Sequence, residues 1–198
     1  MNQAFLTVDL GFGDAGRGAV VDFMTRQFSA HTVVRYNGGA QAGHRVVAPG
    51  NREHVFSQFG SGTLAGAATH LSRFMLLEPM AMLEEARHLR APGAGEPFEH
   101  TTVDAGALVI TPFARAINRL SELARGNARH GSCGMGVGET MIDFLALGEH
   151  ALFAGDLADR DRLHAKLGTL REANRAKLAR LTLPDTPEVA AERAPLDD

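Results

Sequence analysis

The chain has 198 residues, 44% of them hydrophobic and 22% charged, and a formal net charge of −3. That length can bury a proper core as one domain, and the slightly acidic balance argues against nucleic acid as a main partner. One cysteine permits no internal disulfide, no charged leader with an apolar centre opens the sequence, and no apolar run is long enough for a bilayer, so a cytoplasmic protein without membrane contact is expected.

Apolar patterning predicts strands at Ala4–Leu10, Thr32–Tyr36, His54–Phe59 and Ala107–Ile110. Helices are predicted at Gly16–Phe28, Pro79–Leu89 and Phe113–Arg125. Between them, Ala91 to Glu99 is rich in proline and glycine and reads as an exposed loop. A charged amphipathic helix is expected from Asp159 to Leu183, with a break at Gly168 as one option. Strands alternating with helices define an α/β class. The expected architecture is a largely parallel sheet flanked by helices, with P-loop-like glycine-rich loops at strand ends. One domain is expected over 1–183. Residues 184–198, rich in proline and acid, read as a disordered tail or a truncation stub.

The first glycine-rich loop is Gly11-Phe12-Gly13-Asp14-Ala15-Gly16-Arg17-Gly18, between the first strand and the first helix. Glycines let backbone approach a ligand, and a helix start offers free N–H groups and a positive dipole end. The pattern is a seat for an anion, most often phosphate. Gly11, Gly13 and Gly16 satisfy the G-x-G-x-x-G spacing, but no acid ends the second strand to hold a ribose, so a nicotinamide cofactor is not expected. Gly11 and Gly16 also have Walker spacing, but Arg17-Gly18 stands where lysine and a magnesium-binding hydroxyl belong. By itself the loop is read equally well as a plain turn in an α/β protein.

The second loop, Asn37-Gly38-Gly39-Ala40-Gln41-Ala42-Gly43-His44-Arg45, follows the second strand. Strand-end loops are where open parallel sheets bind ligands. His44 is the ionisable candidate here, as a proton donor or a hydrogen-bond donor to phosphate. A lone loop histidine is usually just solvated. Two such loops, each after an apolar strand and each with an ionisable group, favour a site.

These residues resemble the adenylosuccinate synthetase family. Its first loop has the form W-G-D-E-G-K-G-K, against Phe12-Gly13-Asp14-Ala15-Gly16-Arg17-Gly18-Ala19. Its second, V-V-R-Y-x-G-G-x-N-A-G-H-T, aligns with Val33 through Arg45. Shorter matches follow in order: Gly60-Ser61-Gly62 to P-S-G, Glu78-Pro79 through Glu85 to D-P-x-x-L-x-x-E, Ile110 to Phe113 to L-P-Y, Ser132 to Gly138 to T-T-G-R-G-I-G, and Gly155-Asp156-Leu157 to G-D-L.

The resemblance implies a ligase of purine nucleotide biosynthesis. It would join IMP, or a related purine monophosphate, to aspartate with GTP and Mg2+ through a 6-phosphoryl intermediate. Asp14 matches the carboxylate that takes the N1 proton and also contacts the metal. His44 matches the donor that stabilises the transferring phosphoryl group, and Gly43 matches the residue whose carbonyl is a magnesium ligand. Gly13, Asp14, Ala15, Gly16, Arg17, Gly18 and Ala19, then Gln41, Ala42, Gly43, His44 and Arg45, fall at nucleotide-binding positions. Cys133 falls where a threonine holds the IMP phosphate.

Several positions depart from the pattern. Arg17 replaces lysine, keeping its charge but not its shape. Ala15 and Ala19 replace a charged pair, Gln41 replaces asparagine, and Arg45 and Cys133 replace threonines. Met135 replaces an arginine, and 143–148 lacks the arginine that reaches the partner subunit's nucleotide. Family members are about twice as long or more. The alternative is therefore a shortened, non-catalytic nucleotide-binding or regulatory module. A sheet cut midway also predicts a homodimer or a complementing polypeptide over the exposed edge.

Overall fold

In a computed structural model, residues 3–11, 13, 15–36, 38–91 and 94–197 are described. Asp14, assigned a catalytic and metal role above, and Phe12 and Asn37 of the glycine loops lie outside them.

The chain divides into two compact units where one domain was expected. Unit 1 comprises residues 1–75 and 80–104, and unit 2 comprises 76–79 and 105–198. In chain order the first unit holds α1 (Arg17–Gln27), β1 (Thr32–Arg35), β2 (His44–Ala48), β3 (Arg52–Phe56) and β4 (Ala68–Leu71). After β5 (Leu76–Leu77) come α2 (Pro79–Arg90) and β6 (Thr101–Val103); then β7 (Leu108–Val109), α3 (Pro112–Arg125), α4 (Val137–Leu147), α5 (Arg160–Leu178) and α6 (Pro187–Asp197) follow.

The expected α/β class with a parallel sheet holds. The main sheet has the order β1-β4-β6 with both pairs parallel, Thr32 opposite Ala68 and Thr69 opposite Thr101. Parallel neighbours need long crossovers. The first crossover contains the antiparallel β2–β3 hairpin, and the second contains α2. Leu71, Phe56, Phe59, Met75 and Leu89 are fully buried in unit 1. On α2 the buried stripe is Met82, Ala86 and Leu89, and an acid, Glu85, sits within it. Helix spacing of three and four residues creates that stripe.

The strand expected at Ala4–Leu10 does not form. These residues make no ladder, and β1 pairs only with β4 among the described residues. A strand without a neighbour has no partners for its N–H and C=O groups, so alternation alone does not hold it. Leu6, Val8 and Leu10 are consequently 80%, 61% and 98% exposed.

Unit 2 pairs β5 with β7 and packs four helices. Proline at the first turn of α3, with Thr111 accepting from the Ala114 N–H at 3.2 Å, starts that helix one residue earlier than expected. Lys177 of α5 lies 2.8 Å from both Glu139 and Asp143 of α4, and Asn174 donates to Asp143 at 2.9 Å. Gly168 does not break α5, which ends at Leu178. Where the composition predicts a disordered tail, α6 forms instead. Its Val189 and Leu196 bury against Ala116, Ile117 and Leu120 of α3, which supplies the apolar contact that tail composition does not reveal. Asp156 of the Gly-Asp-Leu triplet has a structural part: it accepts from the Phe153 N–H and pairs with Lys166 at 2.6 Å.

Candidate active site around His44

Helix α1 follows directly on Gly16, whose φ of 71° is a left-handed value that glycine adopts freely. No side chain caps this end, and its first turn holds no acid. Among the described residues no side-chain cap meets its leading N–H groups, and a free helix start of this kind suits an incoming anion. Gly13 and Ala15 are exposed before it, and Ala19 is exposed in the first turn. Arg17 is half-exposed and pairs with Asp9 at 2.8 Å.

The second loop reaches the same place. Gly39 and Ala42 close a turn, and Gln41 and Gly43 are exposed. His44 then opens β2 and packs directly on α1. A Cβ added to Gly18 would lie 2.6 Å from His44 Cβ and 3.0 Å from its Cα and carbonyl carbon. Only glycine fits there, because the obstructing atoms are mostly backbone. Gly18→Ala is expected to cost about 1–3 kcal/mol of stability, as overpacking does. Urea denaturation checks this, and a change within 0.5 kcal/mol, the ordinary surface range, would contradict the packing argument.

His44 is half-buried, and its Nδ1 lies 3.4 Å from Ser61 Oγ. Burial, then the Arg35 and Arg17 charges, push its pKa down to about 4, so the ring is neutral at pH 7. Asp9 and Glu85 oppose this more weakly. A neutral imidazole carries one N–H donor and one bare nitrogen acceptor, which an imidazolium does not.

Residues beneath the histidine were not assigned roles from the sequence. Arg35 is buried and donates to the Phe59 carbonyl at 3.1 Å. Desolvation holds its pKa below the usual guanidinium value, with the Glu85 carboxylate partly offsetting this. Glu85 accepts the backbone N–H groups of Ser57, Gln58 and Phe59 at 2.9, 2.6 and 3.3 Å. This carboxylate fixes the segment that leads into Gly60-Ser61-Gly62. The available signal was an acid on the apolar stripe of a helix, since such an acid needs partners.

Arg45 and Cys133 have their own surroundings. Arg45, next along β2, points its guanidinium to Glu53 across the hairpin at 2.6 Å, on an exposed face. The two-residue side-chain period puts it opposite His44. Cys133 is exposed in unit 2, in a cleft with Arg119, Arg129, Ser132 and Glu192, where Arg119 is tied to Glu192 at 2.9 Å. No cluster of three or more His, Cys, Asp or Glu suited to a metal occurs among the described residues. The expected magnesium set needs none: a carboxylate, a backbone carbonyl and substrate phosphate oxygens are hard donors of the kind magnesium takes. The exposed Gly43 fits that set.

The class is a parallel α/β unit that sets a glycine-preceded helix against the histidine that opens β2. The adenylosuccinate synthetase family profile matches residues 7–196, and the chain belongs to that family. It is 33% identical over 168 residues to the adenylosuccinate synthetase of Acidithiobacillus ferrooxidans, which covers 84% of this chain and 38% of that protein. It is 35% identical over 172 residues to that of Alkalilimnicola ehrlichii, covering 86% and 38%. The chain thus spans well under half the length of the curated relatives it matches. Among solved structures, the fully ligated adenylosuccinate synthetase of Plasmodium falciparum superposes with a TM-score of 0.72 at 18% identity, over 93% of this chain and 41% of that one. The cyanophage S-2L succinoaminodeoxyadenylate synthetase, bound to dGMP and dATP, gives 0.60 at 18% identity, over 89% and 48%. At that identity these two support the fold.

Proposed function

We propose that the chain acts as an adenylosuccinate synthetase-type ligase on IMP or a related purine monophosphate, with GTP and aspartate, in purine nucleotide biosynthesis. The observation that carries this is the direct contact of Gly18 with His44, which joins the two glycine loops at one uncapped helix start.

The amides leading α1 and the Arg17 guanidinium receive phosphate, and Gln41 and Ala42 border the purine. The Asp14 carboxylate takes the proton from N1, which makes O6 nucleophilic. O6 then attacks the γ-phosphorus of GTP, and GDP leaves. His44 donates a hydrogen bond to the transferring phosphoryl oxygens and stabilises their charge. The aspartate amine next displaces phosphate from C6. Asp14 and the Gly43 carbonyl would hold magnesium, which would neutralise charge on the phosphates. Cys133 stands where a threonine would hold the IMP phosphate, and a thiol is the weaker donor.

Calorimetric titration tests the reading. IMP is expected to bind in the presence of magnesium, and Arg17→Ala to weaken it by about tenfold through loss of charge-assisted pairing. No heat with IMP or GTP at millimolar concentration would overturn it. The exposed Cys133 thiol, a weak donor at a threonine's place, supports one second reading, a nucleotide-binding module without turnover. A wild-type chain that binds IMP but forms no adenylosuccinate would decide for it. The exposed Leu6, Val8 and Leu10 support a second copy or a complementing polypeptide as partner. No helix among the described residues is long and apolar enough to cross a membrane.

A further inference from the structure

We infer that Ser61 is a positioning residue that fixes the tautomer of His44, holding the proton on Nε2 by donating its own to Nδ1. This rests on the proposed role of His44 as a donor to the phosphoryl group.

Ser61 is 1% exposed. A buried hydroxyl needs an acceptor for its hydrogen. Among the described residues the only side-chain or backbone group recorded within reach of Oγ is His44 Nδ1, at 3.4 Å. The separation is long for an O–H···N bond, which makes it a weak one. Two arrangements are possible for a neutral ring. If Nδ1 carries the proton, it donates to Oγ, the serine hydrogen is left without an acceptor, and the Nε2 lone pair faces any incoming anion. If Nε2 carries the proton, Ser61 donates to bare Nδ1, both groups are satisfied, and Nε2–H is free to donate. An orphaned buried donor is costly, so the second arrangement prevails.

The backbone around Ser61 is built to hold it there. A Cβ at Gly60 would meet Val33 Cβ at 2.9 Å, and one at Gly62 would meet Thr25 at 2.8 Å, so both flanking glycines are clamped on β1 and α1. The Gly60 N–H donates to Thr69 Oγ1 at 2.9 Å, and the Gly60 carbonyl accepts the Thr63 hydroxyl at 2.7 Å. The hydroxyl is thus presented by rigid backbone to one ring nitrogen. No such partner for Nε2 is recorded among the described residues.

The test is two-bond proton–nitrogen correlation spectroscopy of the full chain carrying nitrogen-15 histidine, at pH 8, where an ordinary imidazole is neutral. His44→Gln identifies the His44 signals among the nine histidines. The wild-type ring is expected to show a protonated Nε2 and a bare, hydrogen-bonded Nδ1. Ser61→Ala, checked for folding by circular dichroism, is expected to lower the Nε2–H to Nδ1–H ratio about five- to tenfold, the worth of one hydrogen bond. A wild-type ring protonated at Nδ1 overturns the inference without any variant. So does a folded Ser61→Ala protein with an unchanged ratio. Titration with IMP separates the two ideas: a protonated Nε2 in a chain that binds no IMP keeps the Ser61 assignment and removes the nucleotide reading.

Discussion

Asp14→Asn and His44→Ala are each expected to reduce adenylosuccinate formation by about 10²–10⁴-fold, the range ascribed to a positioned acid or base. Asparagine preserves the shape of aspartate but accepts no proton from N1, so O6 stays a poor nucleophile. Alanine removes the proposed donor, a ring whose pKa of about 4 leaves it neutral at pH 7. IMP affinity is expected to fall far less than turnover in both, because Arg17 and the α1 amides still meet phosphate. The measurement is product formation with IMP, GTP, aspartate and magnesium, alongside calorimetry on the same preparations. Turnover within a fewfold of wild type in either variant would refute the role given to that residue.

Glu85→Ala is expected to destabilise the chain by about 3–5 kcal/mol. Three backbone donors, from Ser57, Gln58 and Phe59, lose their acceptor, and Gln58 and Phe59 are fully buried. The nearby buried Arg35 also loses the carboxylate that offsets its desolvation. Glu85→Gln keeps one carbonyl oxygen in place and is expected to cost about half as much. Urea unfolding of the three proteins measures the difference. A loss below about 1 kcal/mol for alanine would mean water replaces the carboxylate without penalty.

Much of this was legible in the residues. Period and punctuation located α1, α2 and α3 to within a residue or two, because Gly16, Pro79 and Pro112 mark helix starts and the stripes behind them are regular. The Thr32-Val33-Val34-Arg35 strand is equally clear, since β-branched residues precede a glycine pair. What failed depends on contacts that a local pattern does not encode. Ala4–Leu10 alternates like a strand, yet a strand is a relation between two segments, and its alternation names no neighbour. Residues 184–198 look unstructured by composition, yet two apolar side chains, Val189 and Leu196, suffice once α3 offers them a surface. In the site, the glycine loops and His44 stood out because glycine and histidine in that order have few structural reasons to be there. Ser61 and Glu85 were visible only as parts of short motifs. Their work is done through backbone amides and a ring nitrogen, and those partnerships appear only when the chain is folded.

The bare run of Leu6, Val8 and Leu10 has a consequence for handling the protein. It carries three large aliphatic groups at alternate positions and joins no ladder among the described residues, which is a geometry by which folded chains stack on one another. Colloidal stability is therefore expected to be lost here before the fold is. A preparation whose cores remain intact in dilute urea is expected to scatter light increasingly as it is concentrated unless a partner covers this run, a change that a melting curve does not register.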